Sequence, residues 1–334
     1  MTGTDPTGEE PAATPPALFA RLIATAVALR ERFTGAGRRS PAAERAMLGA
    51  ATLLFVGATV LAARSLPNVH SEPDYFLLVL VGVLGVPAAT LVNAAEYVTA
   101  GKALGHRVGL LHAARVSTVA TAANLLPIPG AVMVRARALR VLGTNYRKSL
   151  AILGGIGVIW LATTGVLAAG ALVIAGYNVA IGLAFGVGGV VTGAGGYALV
   201  RISVGGEDTM KWFLRFVVIE IASVGVFAVR FTLVLEGLGF HASWSQTLTL
   251  TIATAAASAV GILPAGLGVR ELLAAALAPL VNLKPAVALF AVSVDRIIGL
   301  VVLAIMSGML VVISHGREIT GEEEDNDDAN DVAI

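Results

Sequence analysis

The chain has 334 residues, of which 56% are hydrophobic and 13% charged, with a formal net charge of +1 and a mean hydropathy of +0.83. Soluble domains are about 25% charged, so this composition excludes a soluble enzyme. The absence of cysteine excludes disulfides, thiolate metal sites and cysteine nucleophiles. Apolar runs of about 20 residues, the length that crosses a bilayer, recur along the chain. The sequence therefore predicts an all-α, polytopic helical membrane protein, and nothing in it supports nucleic-acid binding.

The two ends of the chain are polar. Residues 1–43 are predicted to be a disordered tail. Within it, 17–33 carries arginines among apolar residues, which suits either a helix in the membrane interface or an ordinary linker. Residues 315–334 are predicted to be a second disordered tail, since 318–331 holds eight acidic residues and no basic one.

Eight apolar segments lie between these tails. Their predicted bounds are 44–63, 74–97, 108–134, 149–175, 179–200, 212–235, 243–260 leading into a break, and 286–314.

Two of the segments contain a helix break. The sharper break is Leu-Pro-Ala-Gly-Leu-Gly-Val-Arg-Glu at 263–271, with Pro264, Gly266 and Gly268 ahead of two charged residues. The weaker one is Leu-Pro-Ile-Pro-Gly at 126–130, which contains Pro127. Irregular backbone at membrane depth is tolerated only where it is buried in protein or lines a cavity. Each break is therefore a candidate functional site.

The two halves of the chain resemble each other. The hexapeptide at 118–123 recurs with one substitution at 251–256, and Leu104-Gly105 recurs as Leu238-Gly239. The offsets are 133 (251 − 118) and 134 (238 − 104). The predicted segment starts 44, 74 and 149 correspond to 179, 212 and 286, at offsets of 135 to 138. Several offsets in one order indicate a duplication, with repeats at 44–177 and 178–314.

Basic residues then indicate the topology, because lysine and arginine concentrate on the cytoplasmic side. If all eight segments cross the membrane, nine basic residues lie inside and ten outside. If both broken segments are re-entrant hairpins, the eight basic residues of 135–148 and 201–215 move inside, which gives 17 inside against Arg64 and Lys284 outside. The hairpin arrangement has six full spans, two opposed hairpins, an inverted repeat and both termini in the cytoplasm, and we prefer it to eight spans.

Inverted repeats with broken helices are typical of secondary transporters. Ionisable residues at membrane depth mark functional sites in such proteins. Arg270 and Glu271 open the second arm of the second hairpin, and Asp295 and Arg296 lie in the middle of the last segment. Neighbours on a helix point about 100° apart, so Asp295 and Arg296 need partners elsewhere, with Arg270 and Glu271 as candidates. Either a functional site or a buried structural bridge fits this pattern.

Four further charged residues lie in apolar segments and are weaker candidates: Glu96, Arg115, Glu220 and Arg230. Glu96 and Arg230 occupy the same repeat position with opposite charge, since their numbers differ by the repeat offset of 134 (230 − 96). A salt bridge between the two repeats is therefore the structural alternative for this pair.

The chemistry of the second break suits a phosphate. Arginine binds two oxygens with its planar fork and stays charged at any working pH. Glycines 266 and 268 would let backbone N–H groups approach, and a helix beginning near Val269 would direct its positive end at the anion. The sequence lacks the G-x-x-x-x-G-K-[ST], G-x-S-x-G and H-E-x-x-H motifs. We therefore expect no ATP-driven pump, no cofactor and no metal.

The residues from 263 to 271, the following apolar arm and a last segment carrying Arg296 resemble the lysylphosphatidylglycerol synthase transmembrane-domain family of flippase-like proteins. The first break, Asn124-Leu-Leu-Pro-Ile-Pro-Gly followed by Arg135, is similar to that family's first break, with Pro129-Gly130 in place of an expected glycine pair. The resemblance spans about 44–314 and is sharpest over 261–296. The matching positions are Pro264, Gly266, Gly268, Arg270, Glu271 and Arg296.

This resemblance implies a bacterial or archaeal membrane domain that moves lipids, aminoacylated phosphatidylglycerol included, between leaflets. Some members also carry an aminoacyltransferase or glycosyltransferase domain. This sequence shows neither, so we expect no enzyme activity. Our first hypothesis is a translocase for a phospholipid, an aminoacyl-phospholipid or a polyprenyl-linked lipid, with Arg270 and Arg296 on the phosphate and with Glu271 and Asp295 tuning them or carrying a coupling proton. The alternatives are a non-transporting subunit that supports a lipid-modifying enzyme as its partner, and an ion-coupled transporter of small solutes.

Overall fold

A computed structural model describes residues 41–66, 73–123, 130–177, 179–260 and 268–320. These residues form ten helices and no strand, which confirms the prediction of an all-α membrane protein. Most of the two tails, 1–40 and 321–334, lies outside the described residues, as do 124–129 and 261–267 at the two helix breaks.

The first half of the chain contributes five helices. They are α1 (Pro41–Arg64), α2 (Tyr75–Ala103), α3 (Leu110–Ala123), α4 (Gly130–Val141) and α5 (Tyr146–Ile174). Helix α2 contains one π-helical turn, Val81–Gly85.

The second half follows the same order. Its helices are α6 (Val179–Val204), α7 (Thr209–Gly237), α8 (Trp244–Val260), α9 (Val269–Leu277) and α10 (Pro285–Thr320). A short 3-10 turn, Ala278–Val281, ends the arm that α9 begins. Helix α10 continues to residue 320, six residues into the segment predicted as the C-terminal tail. No proline stops the helix before the acidic run.

Five of the described helices are long and apolar enough to cross a membrane, namely α2, α5, α6, α7 and the Pro285–Met309 part of α10. The sixth predicted span, 44–63, falls in α1, whose described apolar portion is Phe55–Arg64. The protein is therefore a multi-pass helical membrane protein.

The two broken segments form pairs of short helices. Helix α3 packs against α4, and α8 packs against α9. A crossing helix needs about 20 residues, whereas α3 and α4 have 14 and 12 residues and α9 has nine. Arms of this length that pack on each other fit the predicted re-entrant hairpins better than full spans.

The ends of α2 and α7 carry the same cap at equivalent repeat positions. Gly105 has φ 87° and Gly239 has φ 80°, in the left-handed region that glycine adopts without strain. The N–H of His106 donates to the carbonyl of Gly101, and the N–H of Phe240 donates to that of Leu235 at the equivalent position. Both helices have 29 residues. This agreement supports the duplication, while the repeat boundaries 44–177 and 178–314 stay a prediction.

Helices α2 and α7 pack antiparallel. A Cβ on Gly237 would lie 3.0 Å from Leu78, and a Cβ on Gly85 would lie 2.7 Å from Arg230. The residue numbers of each contacting pair sum to 315. A residue of α2 therefore faces the residue of α7 whose number is 315 minus its own. Equivalent positions of the two repeats differ by 134. Near residues 90 and 224 both conditions hold, so residues that occupy equivalent repeat positions also face each other there. Such a pair has an approximate two-fold axis across the helices, as an inverted repeat requires.

Candidate functional site

Asp295 on α10 lies between two arginines from different helices. Its Oδ1 accepts a hydrogen bond from Nη2 of Arg230 on α7 at 2.7 Å, and its Oδ2 accepts one from Nη2 of Arg270 on α9 at 2.7 Å. The Asp295 side chain is fully buried. Asp295 therefore ties the second hairpin to α7 through both of its oxygens.

Glu271, the neighbour of Arg270, forms the second half of the site. Its Oε1 accepts a hydrogen bond from Nη1 of Arg296 at 2.8 Å, and its Oε2 accepts one from the backbone N–H of Gly268 at 2.9 Å. Gly268 precedes α9 with φ 82°, a conformation that a residue with a side chain rarely adopts. The positive, N-terminal end of α9 is thus directed at the carboxylate of Glu271, which belongs to the same helix.

We name Arg230, Arg270, Glu271, Asp295 and Arg296 the arginine cluster. Four of the five side chains are buried, and the fifth, Arg270, is partly buried, with 14% of its side chain exposed against 8% for Arg230 and Arg296. Three guanidinium groups and two carboxylates leave a formal charge of +1. Burying a net charge is costly unless a counter-charge compensates for it, so the cluster favours an anion.

Each arginine of the cluster also lies over an aromatic ring. The guanidinium carbon of Arg230 is 5.2 Å from the ring centroid of Phe227, that of Arg270 is 5.4 Å from Phe231, and that of Arg296 is 5.8 Å from Phe55 on α1. Cation–π contacts of this kind become stronger when they are desolvated. The rings hold the guanidinium groups in an apolar setting without adding negative charge.

Gly85, at the end of the π turn in α2, makes room for the stem of Arg230 because an added Cβ would lie 2.7 Å from its Cγ. Gly299 on α10 lies on another side, where a Cβ would be 3.6 Å from Nη2 of Arg230. Single π turns inside α-helices are frequent at functional sites. Sequence reasoning missed Gly85, because a π turn leaves no composition signal.

The structure brings together six of the predicted site residues, which are the five of the arginine cluster and Gly268, whose backbone N–H donates a hydrogen bond to Glu271. The expected pairing of Asp295 with Arg270 and of Arg296 with Glu271 is confirmed. Pro127, Pro264 and Gly266 lie outside the described residues. Arg115 on α3 is half-buried and takes part in none of the ion pairs between described residues, so its role stays a prediction.

The salt bridge between Glu96 and Arg230, which was the structural alternative for this pair, does not form. Arg230 pairs with Asp295, and Glu96 accepts a hydrogen bond from Nη1 of Arg135 on α4 at 3.4 Å. The antiparallel register explains this, since Arg230 faces position 85 and Glu96 faces position 219. Arg135 is 13% exposed, although the topology argument counted it as a flanking basic residue. The offset of 135 between Arg135 and Arg270 was the signal that sequence reasoning could have used.

Glu96 and Arg135 form a second buried cluster with Glu220 and Tyr97. Glu220 is 1% exposed and Tyr97 is fully buried. The charges of Glu96 and Arg135 both act on Glu220. Among the described residues, no hydrogen-bond partner is found for Glu220 Oε1, Tyr97 Oη or Arg135 Nε. Unlike the arginine cluster, this one has two acidic side chains and a single guanidinium, which pairs with Glu96.

Residues 206–307 match the family model of the lysylphosphatidylglycerol synthase TM region. The matched range begins before α7, ends within α10 and contains all five residues of the arginine cluster. The resemblance seen in the sequence is thus confirmed for this part of the chain, and it links this membrane protein to lipid modification or translocation. No curated protein matches the chain, and no solved structure does.

Proposed function

We propose that this protein, whose residues 206–307 resemble the lysylphosphatidylglycerol synthase TM region, is a lipid translocase rather than an enzyme. It moves a phospholipid, an aminoacyl-phospholipid or a polyprenyl-linked lipid between the leaflets of a prokaryotic cell membrane, with both termini in the cytoplasm. These lipids share a phosphate headgroup, and the arginine cluster is its binding site.

The formal charge of +1 on the arginine cluster is the observation that carries this proposal. A phosphodiester carries one negative charge, so its arrival would bring the buried site to neutrality. The three guanidinium groups also offer the planar donor geometry that suits phosphate oxygens. A site made only for structure would be expected to balance its own charges.

The carboxylates of the cluster hold the arginines in the state described here. A phosphate would have to compete with Asp295 for Arg270 and with Glu271 for Arg296. Arg270 is the most accessible arginine and belongs to the short helix α9. We therefore assign Arg270 to the first contact with the headgroup, and Asp295 keeps Arg230 as a partner when Arg270 turns away.

The same geometry selects the test variant. Arg270→Ala leaves Asp295 paired with Arg230. Arg296→Ala would instead leave the buried carboxylate of Glu271 without its ion-pair partner, and this would favour misfolding. We expect purified Arg270→Ala in proteoliposomes to transfer fluorescent phosphatidylglycerol at least about tenfold more slowly, because a hydrogen bond to a charged group contributes roughly 1.5–3 kcal/mol. Arg201→Ala, at an exposed position on α6, is the matched control.

Transfer by Arg270→Ala at the wild-type rate would refute the phosphate site. A wild-type protein that transfers no lipid, but co-purifies with a lipid-modifying enzyme, would favour the non-transporting subunit. Wild-type uptake of a small solute without lipid transfer would favour the third hypothesis. Each variant is first checked for a single species by size-exclusion chromatography.

A further inference from the structure

The carboxylates of the arginine cluster are poor proton carriers in this structure. Both oxygens of Asp295 accept hydrogen bonds from arginines, and both oxygens of Glu271 accept hydrogen bonds from Arg296 and Gly268. Protonation would displace one of these donors in each case. A group that binds and releases a proton during transport must therefore be sought elsewhere.

Glu220 on α7 has the properties that these two carboxylates lack. It is 1% exposed, and its Oε1 has no hydrogen-bond partner among the described residues. The α2–α7 register places it opposite position 95, beside Glu96. The hydroxyl of Tyr97, which is fully buried and next in sequence to Glu96, also finds no partner among the described residues.

Two carboxylates and the single guanidinium of Arg135 give this second cluster a formal charge of −1. Binding of one proton would make it neutral and would give Glu220 a hydroxyl donor. The described residues hold no group of three side chains suited to a metal ion, whereas a proton needs only one carboxylate oxygen without a partner, as Glu220 Oε1 is among the described residues. These observations favour a proton over a metal ion.

The helices that pack against α7 carry few other charged groups. On α2, Lys102 lines a cleft with Arg215 of α7, and the two lie six residues from Glu96 and five from Glu220, about one and a half turns nearer the helix ends. The remaining charged groups are Arg147 and Lys148, exposed at the start of α5, Arg201, exposed on α6, Asp295 and Arg296 in the arginine cluster, and residues beyond 314 on α10. Helix α8 has none.

We propose that Glu220 binds one proton for each lipid phosphate and so couples lipid transfer to a proton gradient, an inference that rests on the proposed translocase. The two clusters lie on opposite sides of the approximate two-fold axis. On α2, Gly85 beside Arg230 and Glu96 in the second cluster are eleven residues apart, or about 16 Å. Their formal charges are +1 and −1. One phosphodiester and one proton neutralise both clusters together, so lipid and proton move in the same direction without net charge transfer.

The test measures the distribution of fluorescent phosphatidylglycerol between leaflets of proteoliposomes under a gradient of one pH unit, with the membrane potential held at zero. One proton per lipid predicts enrichment of about tenfold in the leaflet on the alkaline side. The wild-type protein and the control Glu207→Gln, an exposed glutamate just before α7, should reach this ratio. Glu220→Gln, which carries no titrating proton, should show no enrichment.

Two results would overturn the coupling while leaving the translocase intact: wild-type transfer that ignores the gradient, and enrichment by Glu220→Gln equal to that of wild type. A wild-type protein that transfers no lipid would refute the translocase itself, so the two failures are distinguishable. Infrared spectroscopy offers a second readout that needs no transport. A carboxylic-acid band that appears on acidification and is lost in Glu220→Gln supports the site, and its persistence in that variant refutes it.

Discussion

Arg230 and Asp295, 65 residues apart, form an ion pair of 2.7 Å in which both side chains are buried, at 8% and 0% exposure. Asp295 also accepts a hydrogen bond from Arg270. A single carboxylate therefore compensates two guanidinium groups that come from different helices, one buried and one partly buried. Asp295 thus links α7, α9 and α10 through its two hydrogen bonds, in addition to the apolar core that these helices share.

We expect Asp295→Asn to lower the free energy of unfolding by about 3–5 kcal/mol, because removing one partner of a buried ion pair leaves the others uncompensated. Glu220→Gln, an equally conservative change at an equally buried position, should leave stability unchanged or raise it, since Glu220 Oε1 has no partner to lose among the described residues. Thermal unfolding in detergent compares the two variants. Equal losses of stability would contradict the distinction drawn between the two clusters.

We expect Gly85→Ala to weaken both stability and lipid transfer. The new Cβ would lie 2.7 Å from Arg230 Cγ, so the arginine stem must shift away from Asp295, and overpacking of this kind typically costs about 1–3 kcal/mol. The matched control is Gly225→Ala on α7, where an added Cβ meets nothing within 4 Å. If both variants behave like wild type, the position of Arg230 does not matter for transfer.

The opposed hairpins predict which loops face each side of the membrane. The chain has no cysteine, so single cysteines can be placed at the exposed positions Lys148 and Lys284 and labelled with an impermeant thiol reagent in intact cells. We expect Lys284→Cys to be labelled from outside and Lys148→Cys to be shielded until lysis. Labelling of Lys148→Cys in intact cells would mean that the first broken segment crosses fully, and the inverted repeat would be lost.

The sequence predicted the helical segments and two ion pairs of the arginine cluster for physical reasons. Long apolar runs have few alternatives to a spanning helix, and adjacent charges on one helix cannot pair simply with each other. Asp295 and Arg296 therefore had to find partners elsewhere, and few charged residues are available at membrane depth.

The pairing of Arg230, the space at Gly85 and the cluster around Glu220 could not be predicted in the same way. The pairing of Arg230 depends on how α7 packs against α10, and the other two depend on the register between α2 and α7, where small residues pack against larger ones. A shift of one residue in that register would change every facing pair. Glu96 and Arg230 occupy equivalent positions in the two repeats. The approximate two-fold axis relates them to each other, so they lie on opposite sides of it and do not meet.

The most direct test of the central claim, that the arginine cluster holds a lipid phosphate, is native mass spectrometry of the purified protein with phosphatidylglycerol. We predict that wild type and Arg201→Ala retain one bound lipid with similar affinity, and that Arg270→Ala binds it at least about tenfold more weakly. Equal retention by Arg270→Ala and Arg201→Ala would contradict the account and leave the arginine cluster as a structural network.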